Sequence, residues 1–420
     1  MDTAPLNRRD GHLYIEDLNV ANTIAKHGDT TPIWLTSRSR IKENRDQIAI
    51  AYEPLGARIR FAVKANDLLA VLQVISEFGD GFDVVSGGEI YKVHRAFGDM
   101  SKTVFAGAAK TDEELRYALQ MGVGLINVEA YDELMALNII AGDMGLNPTV
   151  GLRVIPGVDA HTGNQISTGH VGSKFGMEID EVARLLKSNE FPHLSIRGIH
   201  IHIGSQIPHP GPCVAAIEKV LPLIRENPQI CTLDLGGGLP VGYRQDDHVV
   251  KPDAFAKAIL QVLAEERELE ILIEPGRSIV ADACVLLTRV QTVKYSGGKR
   301  IVTVDAGMAD IIRMAMYDAH HPIGVVVERD GPLEITDIAG PVCESSDFLG
   351  RDRMLPPLRR GDLLYVGLAG AYGSSMSSNY NGNRRGSEVM ICGDQSYLVR
   401  RRETFDDLVV RDNLLSLRPK

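Results

Sequence analysis

Through the first two thirds of the chain, short apolar bursts rich in β-branched residues alternate with stretches of helical periodicity. Eight bursts stand out: Ile59–Lys64, Phe82–Val85, Thr103–Ala106, Leu125–Val128, Val150–Ile155, Ile196–Ile203, Thr232–Leu235 and Glu270–Glu274. Between them, segments such as Asp112–Met121, Asp132–Ile140 and Asp180–Leu186 read as helices, with Thr111 and Glu114 spaced as a capping box. Eight strand–helix units predict a closed (β/α)8 TIM-like barrel, an α/β fold. An open doubly wound sheet would place a G-x-G-x-x-G turn after its first strand, where this chain reads Lys64-Ala65-Asn66-Asp67.

Beyond Cys284 the helices thin out. Val285–Val293, Arg300–Val304, Leu333–Ile338 and Asp362–Val366 read as strands separated by Gly, Pro and Asp turns. The pattern predicts a C-terminal all-β domain, sandwich- or barrel-like, which Leu13–Asn22 near the N-terminus joins, while Pro32–Leu35 crosses between domains. The expected division is a barrel over 36–281 and a β domain over 1–35 and 282–420.

Composition narrows the function. With 420 residues, 44% apolar and 24% charged, the chain can bury a sizeable core, which excludes disordered and fibrous classes. Its formal charge of −10, with no long basic run, leaves no electrostatic footprint for nucleic acid or an anionic membrane. Small molecules are the expected partners. The five cysteines (Cys213, Cys231, Cys284, Cys343, Cys392) are far apart and form no C-x-x-C pair. That spacing argues against a disulfide framework or a zinc ribbon and fits a reducing cytoplasm. Cys213, Cys231, Cys284 and Cys392 read as small buried apolar residues. Met1–Asp10 lacks the apolar core of a signal peptide, and no apolar stretch of about 20 residues follows.

Barrel chemistry sits at the C-terminal strand ends, and here those ends are polar. They supply Lys64; Asp83 and Ser86; Arg153; His200 and His202; Asp234 with Gly236-Gly237-Gly238; then Glu274 and Arg277. Each has a bland reading: a solvated lysine, a tight glycine turn, a packed histidine pair on one strand face, a local ion pair. Convergence on one rim changes the picture. A strand-end lysine can capture an aldehyde cofactor, glycine backbone can cradle a phosphate, and a carboxylate facing a pyridine nitrogen keeps it protonated. Lys64, Gly236–Gly238 and Glu274 are those parts of a pyridoxal 5'-phosphate site, and His202 could lie over the ring.

The motifs Phe61-Ala62-Val63-Lys64-Ala65-Asn66, His200-Ile201-His202-Ile203-Gly204-Ser205-Gln206, Gly236-Gly237-Gly238, Glu274-Pro275-Gly276-Arg277, Gly340-Pro341-Val342-Cys343-Glu344-Ser345 and Gly370-Ala371-Tyr372-Gly373 together resemble the fold-type III pyridoxal phosphate decarboxylases. The resemblance runs in order over roughly residues 30 to 400. It implies that Lys64 holds the cofactor covalently and His202 stacks on it. By the same resemblance Ser205, Gly236, Gly237, Gly238 and Tyr372 hold its phosphate region, Glu274 faces the ring nitrogen, and Asp83 and Glu89 stand behind. Arg277, Arg313 and Tyr317 would clamp a distal substrate carboxylate, a task suited to the arginine fork. Cys343 and Glu344 would enter from the second subunit of a homodimer, the thiol as proton donor and the carboxylate against a distal ammonium. The implied reaction is loss of CO2 from the D-configured centre of meso-diaminopimelate. The alternative is a same-fold decarboxylase acting on ornithine, arginine, lysine or a carrier-bound amino acid.

Met314-Ala315-Met316 follow Arg313 where relatives carry Arg-Pro, with the spacing to Tyr317 kept, and Gln165 stands in the loop Asp159–Gly169 where an aromatic residue is common. A metal-dependent hydrolase would put its His-x-His pair on the first strand rather than the sixth. A racemase of this fold places arginine, not Glu274, at the ring nitrogen, and non-catalytic homologues lack the lysine or the cysteine. No metal is expected. The pair His320-His321 reads as a solvated or packing pair.

Overall fold

The computed structural model describes residues 4–160, 169, 172–266 and 268–415. Gln165 and its neighbours 161–168 lie outside the described residues. The chain divides into two compact units, residues 41–280 and residues 1–40 with 281–420.

In the first unit, Arg58–Ala62, Gly81–Val84, Thr103–Phe105, Leu125–Val128, Thr149–Ile155, Ser195–His200, Thr232–Asp234 and Glu270–Ile273 form eight parallel strands. The last pairs with the first through Leu272 with Arg58 and Ile273 with Ile59, closing a barrel. Leu125–Val128 is buried at every position, as strands covered on both faces are, which is why it reads as an apolar burst rather than an alternation, broken only by Asn127. The helix Asp112–Met121 starts at the Thr111–Glu114 capping box and ends at Gly122 in the left-handed region, φ +73°.

The bursts overrun the strands at the C-terminal mouth. Lys64 sits in a 3-10 turn, Val63–Ala65, and the sixth strand stops at His200. Its neighbour Thr232–Asp234 turns there into the glycines and offers no further ladder. His200 and His202 therefore do not share a strand face, contrary to the sequence reading.

In the second unit, Cys284–Ser296 is the hub. It pairs antiparallel with Lys299–Val304, Leu363–Val366 and Ile33–Ser37, and Ile33–Ser37 also pairs parallel with Ser387–Cys392. Alternate residues serve two cores: Trp34, Cys284 and Leu286 face one, while Ile33, Leu35, Val285 and Leu287 face the other. The stretch Pro32–Leu35, expected to cross between domains, thus leads into Ile33–Ser37, a strand of the β unit. Leu13–Asn22 is not one strand: it divides into His12–Ile15, Leu18–Asn19 and a helix, Val20–Lys26, which Asn19 caps by accepting the Asn22 N–H. Of the cysteines read as buried, only Cys284 is; Cys213 and Cys392 are half-buried and Cys231 is exposed. Among the described residues no helix is long and apolar enough to cross a membrane.

Candidate active site

At the barrel mouth the Lys64 amine is ion-paired with the carboxylate of Asp83, next to last in the second strand and fully buried. Asp83 Oδ1 has no hydrogen-bond partner. Glu89 lies in the first turn of the helix Gly87–Arg95 and accepts the Val85 N–H at 2.7 Å; burial pushes its carboxyl up to about 7.

Deeper in the barrel, the carboxylate of Asp234 accepts from Asn127 Nδ2 at 3.0 Å and from the Gly236 N–H at 3.1 Å. Glu274, just past the eighth strand, has Oε2 3.7 Å from His200 Nε2, while its Oε1 is buried without a hydrogen-bond partner. One ligand-type atom each from His200, Asp234 and Glu274 lies within 4.8 Å of the others. Burial pushes both carboxyls up to about 7, Asp234 also through the Glu274 charge and Glu274 through that of Asp83. Two carboxyls this close and this dry hold a proton near neutral pH. Burial lowers the His200 imidazole to about 4.

His202 accepts the Gly237 N–H on Nδ1 at 3.0 Å. Desolvation first, then the positive charges of Arg153 and Lys64, hold its pKa well below the usual histidine value, so the ring is neutral. The glycine turn that meets it tolerates no side chain. A Cβ on Gly236 (φ +66°) would lie 2.6 Å from His202 Nδ1, on Gly237 2.5 Å from the Glu274 carbonyl oxygen, and on Gly238 (φ +120°) 2.8 Å from that of Gly204. Arg277, nearly buried, donates to the Tyr243 hydroxyl at 3.0 Å and to Ser205 Oγ at 3.3 Å. Around strands three to five, Arg153 pairs with Glu129, and Lys110 donates to Glu133 at 2.5 Å and to the Asn127 carbonyl at 2.6 Å.

In the β unit, Cys343 and Glu344 are exposed. The Cys343 N–H donates to Asn381 Oδ1 at 3.2 Å, and the Tyr380 hydroxyl donates to Glu344. Asp347 shapes their loop by accepting the N–H groups of Met308 at 2.6 Å and Val342 at 2.7 Å. Arg313 opens the short helix Arg313–Tyr317, is largely buried, and donates to His321 at 2.8 Å. Tyr317 is 38% exposed, and Tyr372 adopts φ +56° between Ala371 and Gly373.

The barrel mouth fits pyridoxal phosphate. An amine, an orphaned buried carboxylate oxygen at Glu274 and a backbone cradle that any Cβ would fill are the parts needed for an aldehyde, a ring nitrogen and a phosphate. The profile of the pyridoxal-dependent decarboxylases, pyridoxal binding domain, matches residues 38–281. The diaminopimelate decarboxylase of Vibrio cholerae is 41% identical over 97% of this chain and 98% of its own, and that of Pseudomonas aeruginosa 43% identical over 99% and 100%. The solved diaminopimelate decarboxylase of Helicobacter pylori complexed with L-lysine superposes with a TM-score of 0.87 at 34% identity, covering 93% of this chain and 98% of that one. That of M. jannaschii in co-complex with L-lysine gives 0.92 at 33%, covering 98% of both.

This chain belongs to the pyridoxal-dependent decarboxylase family.

Within this decarboxylase the residues read from the sequence fall into two sets. Lys64, Asp83, Glu89, His202, Ser205, Gly236–Gly238, Glu274 and Arg277 gather in the barrel unit, while Arg313, Tyr317, Cys343, Glu344 and Tyr372 belong to the β unit. Sequence reasoning missed Asn127, which moors Asp234, Tyr243, which meets Arg277, and His321, which meets Arg313. Asn127 carried one signal, a polar residue inside the apolar burst Leu125–Val128; Tyr243 carried none.

Proposed function

We infer that this enzyme is a pyridoxal phosphate-dependent carboxy-lyase that converts meso-2,6-diaminopimelate to L-lysine and CO2. The observation that carries the reading is the convergence of Lys64, Asp83, the glycine turn and the unpartnered oxygen of Glu274 at one barrel mouth, in a chain alike over its full length to diaminopimelate decarboxylases. When bound, pyridoxal phosphate supplies an aldehyde carbon that captures an amine and a ring that accepts the electron pair left by CO2. Lys64 would hold that aldehyde, with Asp83 keeping its amine oriented. Glu274, with Asp234 at its back, would hold a proton toward the ring nitrogen, and the neutral His202 would cover the ring face. Ser205, Gly236–Gly238 and Tyr372 would receive the phosphate.

Arg277, Arg313 and Tyr317 would bind the distal carboxylate of the substrate, which selects a diacid over ornithine because ornithine has no second carboxylate to bind. The enzyme works, in this reading, as a cytoplasmic homodimer. Exposed Cys343 and Glu344 would enter the partner's site, where the thiol would hold the proton that replaces the lost carboxylate and the carboxylate would pair with the distal ammonium. The test is initial-rate CO2 release from meso-diaminopimelate, ornithine, arginine and lysine by the cofactor-loaded enzyme. The reading predicts turnover of the diacid, with kcat/KM for the others lower by roughly a hundredfold or more. Equal or faster turnover of ornithine or arginine overturns it.

A further inference from the structure

Arg313 and His321 are eight positions apart, joined by a helix that ends at Asp318 in the left-handed region, φ +51°. The chain doubles back there, and the Ala319 N–H donates to the Arg313 carbonyl at 3.4 Å. His321 is thereby placed under the guanidinium and fully buried. Its Nδ1 lies 2.9 Å from the Gly367 carbonyl and its Nε2 2.8 Å from Arg313 Nη1. A carbonyl only accepts and a guanidinium only donates. Nδ1 must therefore carry the proton and Nε2 the lone pair, and both neighbours enforce the same neutral tautomer. The Gly367 carbonyl is itself fixed, since the Gly367 N–H donates to Pro322 at 2.8 Å beside the antiparallel pair Ile323–Val325 with Leu363–Val366.

We propose that His321 is a positioning residue that aims the Arg313 guanidinium and so sets the preference for a substrate with a distal carboxylate. This rests on the reading above that Arg313 binds that carboxylate. The chemistry of the acceptor matters. A carboxylate in place of His321 would hold Arg313 as firmly but set a negative charge against it, whereas a neutral imidazole fixes the planar fork and adds no charge of its own. The imidazole uses one of the five guanidinium N–H donors. A buried arginine fixed in this way needs no reorganisation when an anion arrives.

The test compares three variants of the cofactor-loaded enzyme on meso-diaminopimelate and on ornithine. His321→Leu removes the acceptor while keeping bulk, and is expected to raise KM for the diacid roughly ten- to a hundredfold with kcat changed less than about threefold, leaving the slow reaction of ornithine as it was. His321→Gln, whose amide oxygen reaches the Nε2 position, is expected to restore most of the loss. Arg313→Ala separates the two claims. If it raises KM and His321→Leu does not, the positioning role is wrong and the Arg313 reading stands; if Arg313→Ala itself leaves KM unchanged, the reading fails and the proposal with it. Nitrogen-15 spectra of the histidine-labelled wild type, with His321→Gln for assignment, give a readout that survives poor folding of the leucine variant. A neutral ring protonated on Nδ1 is expected, and an Nε2–H tautomer or an imidazolium overturns the proposal.

Discussion

Glu274 and Asp234 are two carboxyls in one dry space, and their proton has a consequence for folding. Both titrate near 7 rather than at their ordinary 4.5 and 3.8, so the folded chain binds protons that the unfolded chain has released. Stability from a raised carboxyl is complete below the ordinary value and is lost as pH rises toward the folded one. The cofactor-free enzyme is therefore expected to lose thermal stability between about pH 4 and pH 7 through this pair. Glu274→Gln removes one buried charge and should make the cofactor-free chain melt higher than wild type at pH 8, with the advantage gone at pH 4.5; scanning calorimetry reads both. A variant less stable at both pH values contradicts the assignment. At Lys64 the expectation concerns binding. Lys64→Ala should still take up pyridoxal phosphate but leave nothing for borohydride to trap, with turnover down roughly a thousandfold or more. A trapped pyridoxyl group on another lysine would remove Lys64 from its role. Lys64 and Glu274 were legible in the sequence because a charged residue closing an apolar burst announces itself. Asn127, Asp234's partner, was not, since what an inward polar side chain meets depends on the barrel's register.

Among elements, the glycine turn carries the sharpest expectation. A methyl on Gly237 would lie 2.5 Å from the Glu274 carbonyl oxygen, so backbone must shift, and backbone shifts where phosphate is expected. Gly237→Ala should weaken pyridoxal phosphate binding by roughly tenfold or more in a fluorescence titration, with far-ultraviolet dichroism unchanged. Unchanged affinity would move the phosphate elsewhere. The barrel strands were readable because parallel strands covered on both faces are mostly apolar. The residue at which each ladder stops was not, because that is set by the neighbouring strand: Ile201 and Ile203 are as apolar as Ile199, yet they leave the sheet where Thr232–Asp234 turns away. Phe348–Leu355, Ser387–Cys392 and Gln395–Arg400 escaped for a different reason. The first carries Arg351, Asp352 and Arg353 on exposed or half-exposed positions, which dilutes an alternation that burial would have sharpened.

At the scale of the molecule, Lys64 lies in the barrel unit and Cys343 in the β unit, exposed on its loop. If Cys343 serves a second copy, Lys64→Ala and Cys343→Ala chains, each nearly inactive alone, should regain about a quarter of wild-type activity when mixed and allowed to exchange, because one of the two sites in a mixed dimer has both residues and half of the dimers are mixed. No recovery, with exchange verified by mass spectrometry, would place Cys343 in its own chain's site or outside the chemistry. The division into a barrel and a β unit followed from the change in patterning near Cys284, whereas the link between Cys343 and any site came through motif resemblance alone. The central claim, loss of the carboxylate at the D centre of meso-diaminopimelate, is tested most directly by the chirality of the product. Chiral chromatography of the reaction mixture, with CO2 measured alongside, should find L-lysine and CO2 in equal amounts. D-lysine, or CO2 without lysine, would contradict the account.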